Sequence, residues 1–113
     1  MTTTKEELMA SLTKMTNKME DPKYKTRFAD FNKILQFNFT DEENFDCYIV
    51  FQGGTATIKE GKADTPDLEI TTATTTIMGI MSGEISPTRA FMGGKLKAKG
   101  PMNDMMKLQA LMK

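Results

Sequence analysis

Residues 34–60 read ILQFNFTDEENFDCYIVFQGGTATIKE, and their hydrophobic period is two. Leu35, Phe37 and Phe39 alternate with Gln36, Asn38 and Thr40; Cys47, Ile49 and Phe51 alternate in turn; Ala56 and Ile58 continue the pattern. Successive side chains on a strand point to opposite faces, so this alternation marks strands with one buried face. Asp41-Glu42-Glu43-Asn44 supplies a polar turn, Gly53-Gly54 a tight one, and Glu60-Gly61-Lys62 ends the run. The segment predicts three strands in an antiparallel meander. After Pro66, Leu68 and Ile70 mark a fourth short strand.

Upstream the period is helical. Thr4 with Glu7 makes a capping box, in which each side chain satisfies a free backbone N–H. Leu8, Leu12, Met15 and Met19 then line one face. Asp21-Pro22 restarts the helix, a cap followed by proline, and Tyr24, Phe28 and Phe31 extend the stripe. Downstream, Thr74-Thr75-Thr76 is expected to cap a short helix carrying Ile77, Met78, Ile80 and Met81 and stopping near Gly83. Ser86-Pro87 opens another that ends at Gly93. Lys95, Lys97 and Lys99 alternate with Leu96 and Ala98, a half-buried strand; Gly100-Pro101 breaks it, and Met102 to Met112 reads as a last helix. With no repeat, low-complexity stretch or linker, residues 1–113 are expected to form one domain.

The composition, 39% hydrophobic and 27% charged, falls in the soluble globular range. No run approaches the roughly 18 apolar residues of a membrane span, and the N-terminus lacks the layout of a signal peptide. A single cysteine, Cys47, forms no intramolecular disulfide, which fits a reducing, cytoplasmic setting. Net charge is zero but unevenly spread. Residues 1–33 carry seven positive and five negative side chains, residues 34–92 three and nine, residues 93–113 five and one. No basic field is interleaved with aromatics, so no nucleic-acid partner is expected.

Chemistry is hard to find. The absence of histidine removes the commonest general base and metal ligand. Cys47 has no such base to activate it and alternates in phase with Ile49 and Phe51, a core position. Asp41, Glu42, Glu43 and Asp46 lack calcium-loop spacing and read as a solvated hairpin turn. Gly53-Gly54 and Gly93-Gly94 lack phosphate-loop spacing and read as turns. No catalytic residue, cofactor or metal is expected; an enzyme would have to rely on a carboxylate such as Glu69 or Glu84. Lys95, Lys97 and Lys99 share one strand face. They read first as charged guards of a sheet edge, and second as attraction to anionic lipid headgroups or to a ligand's charged end.

Seven of the eleven methionines lie in the last third: Met78, Met81, Met92, Met102, Met105, Met106 and Met112. Methionine is unbranched and polarizable, suited to surfaces that repack around varied shapes. The last helix is apolar around most of its circumference, with Asn103, Asp104 and Lys107 on one narrow face. It needs cover on more than one side, by core, a second copy, a membrane or a ligand cavity.

The assembled order resembles the sterol carrier protein type 2 (SCP2-like) domain family over nearly the whole chain. The resemblance is carried by Leu35-Gln36-Phe37-Asn38-Phe39-Thr40, by Gln52-Gly53-Gly54, by Pro66-Asp67-Leu68-Glu69-Ile70, by the run from Ile80 to Gly100 and by Lys107-Leu108-Gln109. It implies an α+β fold with a five-stranded, largely antiparallel sheet covered on one face by helices. It also implies an apolar pocket for fatty acids, acyl-coenzyme A, sterols or other lipids, and no shared catalytic residues. The chain shows no peroxisomal Ser-Lys-Leu ending and so resembles stand-alone prokaryotic members. The expected pocket has Leu35, Phe37, Ile49, Phe51 and Ile70 on the sheet wall. Ile77, Met81, Phe91, Met105, Met106 and Met112 would form the helical wall. The expected partner is a lipid or other apolar small molecule, with transient membrane-surface contact and a homodimer as further options. The competing reading is an accessory subunit that uses its last helix to bind a partner.

Overall fold

The alternating run folds into β1 (Ile34–Phe39), β2 (Cys47–Gln52) and β3 (Thr55–Glu60), joined to β4 (Leu68–Thr72) and β5 (Leu96–Lys99). The computed structural model describes residues 4–112, apart from the side chain of Glu43. The helices are α1 (Lys5–Asn17), α2 (Pro22–Arg27), α3 (Thr74–Ser82), α4 (Pro87–Met92) and α5 (Met102–Met112). The five strands lie in the order β3-β2-β1-β4-β5. β1–β2, β2–β3 and β4–β5 are antiparallel, and β1–β4 is parallel. The sheet is therefore mixed and largely antiparallel.

Register carries the inward stripe across the strands. Leu35 lies opposite Ile49 and Leu68, Phe37 opposite Cys47 and Ile70, and Ile70 opposite Ala98. A parallel pair needs a crossover, and residues 61–67 make it on the sheet's other face. Gln36 pins this segment. Its Nε2 donates to the carbonyls of Cys47 (3.0 Å) and Gly61 (3.2 Å), and its Oε1 accepts the Ala63 N–H at 2.8 Å. Gln36 points away from the core, as its alternation predicts, yet it is buried under the crossing chain.

The helical layer follows from local chemistry. The capping box at Thr4 and Glu7 forms at 3.0 and 3.1 Å, and α1 turns Leu8, Leu12 and Met15 into the core. Asp21 accepts the Lys23 N–H at 2.9 Å to start α2. Beyond α2, Phe28 and Phe31 pack on Phe51 with centroid separations of 5.2 to 5.9 Å. α3 corrects the sequence reading. Its N-cap is Ala73, without a side-chain bond, and Asp41 supplies the missing acceptor. The Thr74 N–H donates to Asp41 Oδ1 at 2.9 Å and the Thr74 hydroxyl to Oδ2 at 2.7 Å. Asp46 likewise accepts the Phe39 N–H at 2.8 Å, so both residues fasten strands and helix rather than decorate a solvated turn. The Glu43 side chain of the same cluster lies outside the described residues. Gly83, in the left-handed region at φ +87°, ends α3, and Ser86 Oγ accepts the Arg89 N–H at 3.4 Å to start α4.

Candidate functional site: a cavity beneath the last helix

The site lies at the β4–β5 edge. These strands turn Ile70, Leu96 and Ala98 toward the helical layer, because alternation gives that face to every second residue. The cap-plus-proline start at Ser86-Pro87 swings α4 over this edge with Thr88 and Phe91. Gly100 then lets the chain double back. It holds φ +135°, and the Leu68 side chain and Asp67 carbonyl stand where a Cβ would project. α5 follows and roofs the edge with Met102, Met105, Met106, Leu108, Gln109 and Met112.

These walls leave a cavity of about 230 Å³. Its polar side chains are Thr88 and Gln109, and the Gln109 Nε2 donates to the Thr88 hydroxyl at 3.2 Å. Among the described residues no charged side chain lines it. Such a surface offers water few partners and suits an apolar guest. On its far side α5 is fastened by polar contacts. Lys33 pairs with Asp104 at 3.4 Å, and the Lys107 ammonium lies 5.9 and 5.7 Å from the Phe28 and Phe31 ring centroids. Lys18 Nζ donates to the Leu111 carbonyl at 3.0 Å.

Of the residues expected at a pocket, Ile70, Phe91, Met105, Met106 and Met112 come together here. Leu35, Phe37, Ile49, Phe51 and Ile77 do not: they are sealed in the core, none more than 2% exposed. The reason is filling. α1 lies over β3, and Phe28 and Phe31 pack on Phe51 of β2, so the sheet's inner face there is already covered. Met81 lines a separate hollow of about 370 Å³ between α1, α3 and α5, which shares Met112 with the first cavity. Pro87, Thr88, Leu96, Ala98, Gly100, Met102, Leu108 and Gln109 line the cavity although the expected pocket did not name them. The alternation of Leu96 and Ala98 and the nearly all-round apolar surface of the last helix, with Met102 in its methionine cluster, were the visible signals.

Among the described residues, no group of three His, Cys, Asp or Glu side chains is arranged to hold a metal ion. Burial pushes the Cys47 thiol up to about 12, with Asp46 and Glu60 adding to the rise, so its nucleophilic form is suppressed. No helix among the described residues is long and apolar enough to cross a membrane.

Known proteins resemble this chain in sequence and in fold. A model of the SCP-2 sterol transfer family matches residues 12–113. The hydroxysteroid dehydrogenase-like protein 2 of Bos taurus is 32% identical over 80 residues, covering 70% of this chain and 19% of that protein. The chain spans 15% to 19% of the length of the curated relatives it matches. The solution structure of the sterol carrier protein domain 2 of Helicoverpa armigera superposes with a TM-score of 0.71 at 22% identity, covering 96% of this chain and 85% of that one. The inverting sec-alkylsulfatase Pisa1 of Pseudomonas sp. superposes at 0.67 with 17% identity, over 77% of this chain and 14% of the sulfatase. At those identities the superpositions establish the fold.

Proposed function

The chain belongs to the SCP-2 sterol transfer family, and on that premise we propose that it binds and carries a single lipid-like apolar molecule in the cavity beneath α5. The observation that supports this reading is the lining: apolar side chains, with Thr88 and Gln109 bonded to each other and no charge among the described residues. Burial of the guest drives binding at about 25 cal/mol per Å² of apolar surface removed from water. The cavity, about 230 Å³, is smaller than the ~300–1,000 Å³ of typical ligand pockets. A full lipid therefore enters as α5 shifts and Met102, Met105, Met106 and Met112 repack around it.

In this reading the chain performs no reaction itself. The dehydrogenase-like and sulfatase names belong to proteins of which it spans 19% and 14%. The test is native mass spectrometry of the purified chain together with displacement of a fluorescent fatty acid. Co-purified lipid and saturable uptake are expected. Ala98→Trp, which fills the floor of the cavity, is expected to weaken uptake by about tenfold or more in a folded protein. Consistently empty protein, with uptake indifferent to that substitution, overturns the reading.

A further inference from the structure

The sheet order β3-β2-β1-β4-β5 leaves β3 and β5 with one free edge each. The bonding of its neighbours fixes what β3 presents there. Phe51 exchanges both backbone bonds with Lys33, at 2.9 and 3.1 Å, so its polar groups face the β1 side. Those of Val50 and Gln52 therefore turn toward β3. Register sets Tyr48 opposite Lys59, Val50 opposite Thr57 and Gln52 opposite Thr55. Thr55, Thr57 and Lys59 thus spend their N–H and C=O groups on β2, and Ala56, Ile58 and Glu60 turn theirs outward. Gly53 and Gly54, both at positive φ, make the tight turn that holds this register. Among the described residues no backbone hydrogen bond from another element ends on those outward groups. The edge is regular, with no proline, glycine or bulge. β5 differs: it is four residues long, and Lys95, Lys97 and Lys99 guard it. β3 carries one charge of each sign, Lys59 and Glu60, and Glu60 already pairs with Lys5.

We propose that the β3 edge pairs antiparallel with the β3 edge of a second copy, the two-fold axis passing between the two Ile58 residues. About that axis Ile58 lies opposite Ile58 of the second copy, and Ala56 lies opposite its Glu60. Every outward N–H and C=O group of Ala56, Ile58 and Glu60 then finds a partner in both copies. A shift of one residue sets outward groups against inward ones, and a shift of two leaves part of each edge unpaired. The side chains agree with this register. Ile58, partly buried against the core, covers its remaining surface with its twin. Lys59 faces Thr57 of the second copy, and no like charges stand directly opposite. A foreign extended peptide would meet the same groups, but only a second copy carries this matched edge with it. β3 lies at the far end of the sheet from the α5 cavity, so the continuous ten-stranded sheet keeps both cavities open. The proposal does not depend on what those cavities hold.

The test is sedimentation velocity of the full chain over a range of concentrations. A short strand edge buries less than a permanent interface needs, so a reversible, concentration-dependent dimer is expected. Ala56→Pro deletes an outward N–H and leaves the bonds to β2 in place. It is expected to raise the dissociation constant about tenfold or more, with the urea midpoint reporting an intact fold. Thr57 reads the register. Thr57→Lys sets a second lysine opposite Lys59 and is expected to weaken the dimer about fivefold. Thr57→Glu sets a carboxylate there and is expected to tighten it, a gain that salt removes. Should Ala56→Pro unfold the chain, the two Thr57 variants decide alone. The proposal fails if the chain stays monomeric at millimolar concentration, or if a folded Ala56→Pro leaves the dimer unchanged. It fails too if both Thr57 variants shift the dimer alike. A dimer dissolved by Met92→Glu, a change at the exposed end of α4, overturns it in favour of a different interface.

Discussion

A single carboxylate, Asp41, closes the N-terminus of α3 by accepting from both the backbone and the hydroxyl of Thr74. Its partial burial works to raise the carboxyl's pKa, but the two bonds from Thr74 outweigh this and hold it below its ordinary value. A depressed folded-state pKa means stability that is present at neutral pH and is lost as pH falls through the carboxylate range. Asp41→Asn is expected to cost about 1 kcal/mol at neutral pH. It should also flatten part of the acid sensitivity, both read from urea unfolding midpoints at neutral and acidic pH. The role was invisible in the sequence because Asp41 and Thr74 are 33 residues apart. By contrast, the capping box at Thr4 and Glu7 spans three residues and was legible at once. Gln36 repeats the lesson of Asp41. Its alternation gives its face, but only the crossover of residues 61–67 makes it a buried, bonded group.

At the scale of an element, α5 shows why a helix can be apolar around most of its surface. Leu108, Leu111 and Met112 face inward, Met105 is half-buried over the cavity, and Met102 and Met106 stand exposed at its mouth. The core, the cavity and the open mouth divide the surface of the helix among them. Leu108 also touches the cavity, but its burial is complete. Leu108→Ala is therefore expected to cost about 2–5 kcal/mol, whereas Met106→Ala should stay within about 0.5 kcal/mol. Chemical denaturation of the two variants checks the contrast, and equal costs would show that α5 is not seated as described. The extent of α5 was readable, because Gly100-Pro101 breaks the preceding strand and the apolar run follows immediately. Which methionine faces core and which faces the mouth was not, since methionine suits both.

Over the whole molecule, one inward sheet face serves two purposes. Beneath α1 and the Phe28–Phe31–Phe51 cluster it is solid core, and at the β4–β5 edge it borders a cavity. Ile49 belongs to the solid part and is fully buried. Ile49→Val is thus expected to cost about 0.5–1.5 kcal/mol in stability while leaving fatty-acid affinity unchanged, as paired denaturation and displacement measurements would show. A change in affinity as large as the change in stability would place Ile49 at the ligand after all. Period and local hydrogen bonding act over a few residues, so the strands, the helical stripes, the caps of α1, α2 and α4 and the face each strand residue takes were legible in the sequence. Long-range packing settled that β4 joins β1 in parallel, that Asp41 caps a distant helix, and where the inner face is left unfilled. Those outcomes depend on which elements pack together and how completely their side chains fill the space between them, and alternation along one strand carries neither.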